Sequence, residues 1–183
     1  EDELDNIVKI LILNVDMKTL DEKSQGELLF NAIESNNIAM LEQILKKGAN
    51  IGSIGSYGST LVHSATYVSN FGIIKLLVSF GGEIDLYNDY GYTPLHYASM
   101  KNDIEIAKFL ILSGAEVDKR DAKGGKSSLW MAIEKGNISI VKLLLENEDD
   151  VNLKVDENHS YLSLARSKGQ IEIEELLMKY IQN

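Results

Sequence analysis

The chain has 183 residues, of which 44% are hydrophobic and 25% are charged, and its formal net charge at pH 7 is −10. This composition is typical of a globular protein with a sizeable core, and it excludes the disordered and fibrous classes. Because an acidic protein is repelled by nucleic-acid phosphates and by anionic lipids, we expect no nucleic acid and no membrane as a partner, but a protein with a basic or apolar surface.

The sequence contains no cysteine, which excludes disulfide bonds and thiolate metal sites. Its apolar runs fall short of the roughly 20 residues that span a bilayer. The apolar residues 7–13 follow an acidic start, unlike the core of a signal peptide. We therefore expect a cytoplasmic protein, with secretion into the cytoplasm of a host cell as the alternative.

A repeat of 33 to 34 residues runs through the chain. Its clearest marker is an alanine that recurs at intervals of 33, 33, 34 and 33 residues: Ala32, Ala65, Ala98, Ala132 and Ala165. Apolar residues at helical spacing surround each of these alanines and recur in a second stretch after it. This pattern predicts stacked helix pairs that bury their apolar stripes against their neighbours.

The chain begins with a partial unit, residues 1–20. The sequence NIVKIL at residues 6–11 matches SIVKLL at residues 139–144, and Lys9 precedes Lys142 by four repeat lengths. We interpret this segment as the second half of a repeat, with an N-terminal capping helix as the alternative. The first full repeat, about residues 21–51, has Glu27 and Leu28 where a later repeat has threonine and proline, so we expect its start to be irregular.

The second repeat, about residues 52–84, starts with a glycine-rich approach at residues 52–60. This approach superficially resembles a phosphate-binding loop. It lacks the Gly-Lys-Ser/Thr ending of a P-loop, and it is not a G-x-G-x-x-G sequence after a buried strand. We therefore interpret it as a flexible hairpin.

The third repeat, about residues 85–117, has the clearest start of a helix. Gly91 can adopt the positive φ of a tight turn, the hydroxyl of Thr93 can cap a helix, and Pro94 suits the first helical position. Leu95, His96 and Ala98 follow. These residues predict a hairpin turn followed by a helix.

The fourth repeat, about residues 118–151, carries one extra residue, which we assign to the hairpin tip at residues 123–125. Trp130 occupies the position of His96, and we expect it to pack near the core, with a partner anchor as the alternative. The acidic residues 146–150 lack the ligand spacing of a calcium loop and indicate a solvated turn. Residues 152–183 form a capping repeat, because the last helix has a polar outer face.

The sequence Thr93-Pro94-Leu95-His96-x-Ala98, with its period and the closing Gly114-Ala115, resembles the ankyrin repeat family. The resemblance implies one all-α domain over residues 1–183: an ankyrin-repeat solenoid of helix-turn-helix units joined by β-hairpin-like fingers. It also implies structural hydrogen bonds for His63 and His96, whereas His159 falls in a hairpin and is expected to be solvated. Because no acid–base pair or nucleophile stands out, we expect no enzyme activity, no cofactor and no metal.

Ankyrin-like proteins bind protein partners through finger tips and the concave face of the first helices. Carried onto this chain, those positions are aromatic in the middle repeats and charged in the C-terminal half. Tyrosine offers a large contact area at a low entropy cost. The candidate partner-binding residues are Tyr57, Tyr67, Tyr87, Asp89, Tyr90, Tyr92, Met100 and Lys101. The alternative is that some of these rings pack between adjacent fingers.

The sequence thus predicts a monomeric, non-catalytic module for protein–protein interaction, centred on the second and third repeats. One alternative is an inhibitor or immunity-type protein that neutralises one specific enzyme. Another is the regulatory region of a larger enzyme or effector, which the partial first unit leaves open.

Overall fold

The structure, a computed structural model, describes residues 15–122, 125–147 and 160–181. Several parts of the sequence analysed above lie outside the described residues: residues 1–14 of the partial unit, the insertion at residues 123–124, the acidic residues 148–150 and His159. The chain divides into two compact units, residues 1–83 and residues 84–183. The expectation of a single domain stays a prediction.

The first unit contains four α-helices in its described part. They are α1 (Glu22–Glu34), α2 (Ile38–Lys46), α3 (Leu61–Tyr67) and α4 (Phe71–Ser79). Helix α1 contacts α2 and α3, and α2 contacts α4. The unit is thus two stacked helix pairs, and its core lies between them, where Leu29, Leu41 and Ile74 are fully buried.

The second unit contains six α-helices in its described part. They are α5 (Pro94–Lys101), α6 (Ile104–Leu112), α7 (Ser128–Lys135), α8 (Ile138–Glu146), α9 (Tyr161–Ser167) and α10 (Ile171–Ile181). First helices stack on first helices, α5 on α7 and α7 on α9, and second helices stack in the same way, α6 on α8 and α8 on α10. This arrangement confirms the predicted all-α class.

The repeated alanines lie at the centres of the first helices. Each of the five is fully buried. A side chain this small lets neighbouring helices approach closely, which is why the position repeats. After α2, α4 and α6, a glycine with positive φ turns the chain away from the helix: Gly48, Gly81 and Gly114. The turn conformation is one that glycine adopts without strain.

The fingers that precede the first helices contain little regular β-structure. Isolated antiparallel bridges join Ile54 to Thr60 and Arg120 to Ser127. The second finger, residues 52–60, also contains a 3-10 turn at Ser56–Gly58. The third finger comprises residues 85–93 and the fourth finger residues 119–127. In the described residues the fingers are therefore turns closed by a few backbone hydrogen bonds.

The irregular start expected for the first repeat takes a specific form. A 3-10 turn at Met17–Thr19 leads into α1, which begins at Glu22 behind the capping carboxylate of Asp21. The amide of Gln25 donates to the carbonyl oxygens of Met17 and Leu20 at 2.9 and 3.0 Å, and its oxygen accepts from the Asn50 amide at 3.0 Å. Because the helix runs through Glu27, a longer helix replaces the hairpin seen in later repeats. No helix in the described residues is long and apolar enough to cross a membrane.

Candidate protein-binding surface

The third finger is organised by Asn88, a buried side chain. Its Oδ1 accepts hydrogen bonds from the backbone amides of Tyr90 and Tyr92, both at 3.1 Å. Its Nδ2 donates to the hydroxyl of Tyr97 on α5 at 2.9 Å. Asparagine commonly closes turns by bonding the backbone two residues ahead. One buried amide thus holds the backbone of the finger and ties it to the helix that follows.

A close contact with the fourth finger also fixes the third. The carbonyl oxygen of Gly91 accepts a hydrogen bond from the Ala122 amide at 3.1 Å. Gly91 has a φ of +82°, and a Cβ atom there would lie 2.9 Å from the Ala122 nitrogen. The predicted positive φ at Gly91 is thus confirmed. Glycine is required here for two reasons, the backbone conformation of the turn and the close contact with Ala122.

Tyr90 and Asp89 project from this braced turn. The side chain of Tyr90 is 45% exposed, and Asp89 is exposed beside it. The Tyr90 ring therefore offers contact area from a backbone whose conformation is set by Asn88. The sequence had suggested both residues, and both lie on the surface.

Tyr92, also predicted as a contact residue, is less exposed than Tyr90. Its ring is half-buried and lies 5.9 Å from the His96 ring and 5.8 Å from the Tyr97 ring, the second at an edge-to-face angle of 88°. Aromatic pairs at such distances and angles stabilise each other. The geometry favours Tyr92 as a packing residue that supports the finger, rather than as a contact residue.

Tyr87 combines the two behaviours. Its hydroxyl donates to the carbonyl oxygen of Arg120 on the fourth finger at 2.8 Å, and the Lys119 ammonium lies 5.1 Å from its ring centre. The ring still remains 42% exposed. The alternative of packing between adjacent fingers therefore holds in part for Tyr87.

The remaining predicted residues of this unit lie at the end of α5. Met100 is half-buried and Lys101 is exposed. The side-chain amide of Asn137, which precedes α8, donates to the carbonyl oxygens of Ser99 and Met100 at 2.7 and 3.2 Å. This end of α5 is thus held by the next repeat.

His96 is a structural residue, as the sequence had suggested. Its Nδ1 accepts from the Thr93 amide at 3.1 Å, and its Nε2 donates to the carbonyl oxygen of Lys126 at 3.1 Å. Burial lowers the pKa of His96, an effect that the Lys126 carbonyl and the carboxylates of Asp121 and Asp85 partly oppose. The imidazole is therefore held neutral with its proton on Nε2.

Trp130, at the equivalent position of the fourth repeat, is half-buried. Its ring lies 6.5 Å from the Tyr161 ring, and the Lys126 ammonium lies 5.8 Å from its centre. The hydroxyl of Tyr161 in turn lies 2.7 Å from the Ser127 hydroxyl. These contacts agree with the packing role expected for Trp130.

Tyr57 and Tyr67, the two predicted residues of the first unit, are the most exposed of the candidate rings. Tyr57 lies at the tip of the second finger and is 64% exposed, and Tyr67 ends α3 and is 66% exposed. His63, one turn before Tyr67, is buried, and its Nδ1 accepts from the Thr60 amide at 3.2 Å.

Three supporting residues had not been predicted from the sequence, namely Asn88, Tyr97 and Phe30. The ring of Phe30 on α1 lies against the second finger, where a Cβ atom on Gly55 would stand 2.6 Å from it. The role of Asn88 could have been predicted from the sequence, because an asparagine side chain often bonds the backbone two residues ahead and so favours this kind of turn. The roles of Tyr97 and Phe30 could not, because these helix residues contact a finger that lies elsewhere in the sequence.

In residues 15–122, 125–147 and 160–181, no group of three or more His, Cys, Asp or Glu side chains is arranged to hold a metal ion.

A comparison with protein families matches the family described as "Ankyrin repeats (3 copies)" to residues 29–121 and 102–183. A search of curated proteins finds no significant match. Ankyrin repeats generally mediate protein–protein interaction and are typically non-catalytic. Since the matched residues cover most of the chain, the protein belongs to the ankyrin repeat family.

Proposed function

We propose that this protein binds a protein partner through the third finger, with Tyr90 at the centre of the contact. The observation that carries this proposal is the combination of an exposed ring with a fixed backbone. Tyr90 is 45% exposed, while its own amide is bonded to the buried side chain of Asn88 at 3.1 Å. A partner can therefore cover the ring without ordering the loop.

Rigidity matters because association costs the freedom of every group that becomes ordered. Immobilising one flexible side chain costs about 0.5–1.5 kcal/mol, and ordering a loop costs more. Asn88, the Gly91–Ala122 contact and the Tyr92 ring hold the finger before any partner arrives. The backbone of the third finger therefore needs little further ordering when a partner binds.

The residues around Tyr90 divide into contact and support. Asp89 is exposed, and Tyr87 is exposed on one side while its hydroxyl is bonded to the fourth finger, so these two extend the contact surface. Met100 and Lys101, at the end of α5, are further candidate contacts. Tyr92 supports the surface from beneath. The carboxylate of Asp89 beside exposed rings favours a partner with a basic or apolar surface.

Capture of the partner from the source cell tests this proposal. Wild-type protein and the Tyr90→Ala variant are immobilised side by side, and the captured protein is quantified and its affinity measured. Loss of a central tyrosine contact should weaken the complex by about 2 kcal/mol or more. Tyr92 is left intact, because its removal would disturb the packing of His96 and Tyr97.

The matched control is Leu112→Ala. Leu112 ends α6 and is 75% exposed, so its removal deletes exposed apolar area that belongs to a second helix and not to a finger. We expect this variant to bind like the wild type. Equal affinity of Tyr90→Ala and wild type, or a loss with Leu112→Ala instead, would contradict the proposal.

A further inference from the structure

The second repeat is almost free of charge. Residues 48–82 contain one charged side chain, Lys75, in a chain in which 25% of the residues are charged. Lys75 belongs to α4, and its ammonium lies 5.4 Å from the centre of the Phe71 ring on the same helix. The second finger and α3 thus carry no Asp, Glu, Lys or Arg, and His63 is buried.

This charge-free repeat exposes large apolar side chains. They are Ile54 at 55%, Tyr57 at 64%, Tyr67 at 66%, Val68 at 40% and Phe80 at 37%. Apart from Ile54 and Tyr57, the second finger consists of glycine, serine and threonine, and Ser69 and Asn70 follow Val68. Rigid tyrosines among small polar residues are the composition that binding loops use for close contact without charge.

Tyr57 has an unusual backbone conformation. Its φ is 57° and its ψ is 35°, in the left-handed region that disfavours side chains with a Cβ atom. In the described residues the other non-glycine residues with positive φ are asparagine or serine. A bulky ring is disfavoured in this backbone conformation, and a strained residue on an exposed tip points to a functional constraint.

The second finger holds this strained residue firmly. The Gly55 amide donates to the Ser59 carbonyl oxygen at 2.8 Å, and the Ser59 amide donates to the Ser56 carbonyl oxygen at 3.2 Å, so the tip is closed on both sides. Phe30 packs under Gly55 so closely that no larger residue fits without moving the ring. The ring of Tyr57 is therefore displayed on a fixed turn.

We infer that the second repeat binds an uncharged apolar segment of a protein partner, with Tyr57 and Tyr67 as its contacts. This inference rests on the proposed function, because it assigns the class of segment that the partner presents. Desolvating a charged side chain against this surface would be costly, since the second finger and α3 carry no Asp, Glu, Lys or Arg that could pair with the charge. Burial of apolar area, not charge attraction, therefore drives this contact, and its affinity depends little on salt.

Short random peptides displayed on phage, selected against the full chain, test the inference without knowledge of the partner. The enriched peptides should be apolar or aromatic and without charged residues. As synthetic peptides they should keep their Kd within about twofold between about 0.05 and 0.5 M NaCl. Their affinity should fall at least about tenfold for Tyr57→Asn, a change that removes the ring but suits the left-handed backbone.

Two controls complete the design. Tyr57→Phe keeps the ring and should bind like the wild type, and Leu112→Ala, which removes an exposed apolar side chain outside the second repeat, should leave peptide binding unchanged. Enriched peptides that are charged, that bind Tyr57→Asn as well as the wild type, or that lose affinity at high salt would overturn the inference, as would a selection that yields no Tyr57-dependent peptide. If the partner complex depends on Tyr90 but the peptide test fails, this inference alone is wrong and the proposed function is unaffected.

Discussion

The Nε2 atom of His96 lies 3.1 Å from the carbonyl oxygen of Lys126, so one imidazole joins the first helix of the third repeat to the fourth finger. The Nδ1 atom accepts from the Thr93 amide and so also closes the start of its own helix. Two other repeats use the same position for a contact with the next repeat: the Phe30 ring lies under Gly55, and the Trp130 ring lies near Tyr161. In these three repeats the side chain at this position therefore contacts the next repeat, although its chemistry differs.

The buried His96 predicts a loss of stability in mild acid. Because its pKa is lowered in the folded protein, the unfolded chain binds a proton below about pH 6.5 that the folded chain resists. The free energy of unfolding should thus fall as pH drops below about 6.5, by at most about 1.4 kcal/mol per pH unit from this group. Above that pH the group contributes no pH dependence.

NMR titration of the imidazole in the folded protein measures this directly, and His96→Gln supplies the comparison, because glutamine does not titrate. Denaturant unfolding of the variant should depend less steeply on pH below about 6.5 than that of the wild type. A titration at or above the ordinary pKa of histidine would contradict the lowered pKa on which this prediction rests.

Replacing Gly91 with alanine should destabilise the second unit. The new Cβ atom would lie 2.9 Å from the Ala122 nitrogen and 3.0 Å from its Cβ atom, at a φ of +82°. We expect a loss of about 2–3 kcal/mol, from the left-handed backbone and the clash together. Chemical denaturation gives the value.

Gly114→Ala separates the two causes, because Gly114 has a φ of +99° and a Cβ atom added there would meet no other atom within 4 Å in the described part of the chain. It should lose only the backbone contribution, about 1–2 kcal/mol. Equal losses for the two variants would show that the contact between the third and fourth fingers does not constrain Gly91.

Ala98→Leu should lower the thermal stability of the second unit. Ala98 is fully buried in α5, which contacts both α6 and α7. Adding three carbons to a filled interior costs about 1–3 kcal/mol. Ala39→Leu, at an exposed position of α2, is the matched surface change and should be close to neutral. An unchanged thermal midpoint for Ala98→Leu would refute the packing explanation of the repeated alanine.

Asn88→Ala should loosen the third finger. The variant removes the acceptor of the Tyr90 and Tyr92 amides, so hydrogen exchange at both amides should accelerate, and stability should fall by about 1–3 kcal/mol. Asn88→Asp keeps the acceptor oxygens and loses only the donor to Tyr97, so both amides should stay protected. Unchanged exchange in Asn88→Ala would mean that other contacts hold the finger.

The sequence predicted those parts of the fold that depend on residues close together in the chain, such as helix starts and the repeat spacing. Thr93 caps α5 and Pro94 begins it because both effects act within one turn of helix. The five alanines marked the buried centres because the repeat forces the same spacing on every unit. The helix starting at Glu22 differed from later repeats, since no proline or tight turn interrupts the chain there.

The roles of individual rings were less accessible to sequence reasoning. Tyr90 and Tyr92 are separated by one residue and have the same chemistry, yet one is exposed and the other packs between His96 and Tyr97. Which ring turns inward depends on the hydrogen bonds of Asn88 and on the Gly91–Ala122 contact, which no local pattern encodes. The positive φ of Tyr57 could not be predicted from the sequence, because it follows from the closure of the finger.

Hydroxyl-radical footprinting of the protein alone and in complex with its captured partner tests the central claim most directly, since it reports the exposure of individual side chains. Tyr90 should be oxidised readily in the free protein and become protected in the complex, whereas the exposed Leu112 should react equally in both. Protection of Leu112 with no change at Tyr90 would contradict a binding surface on the third finger.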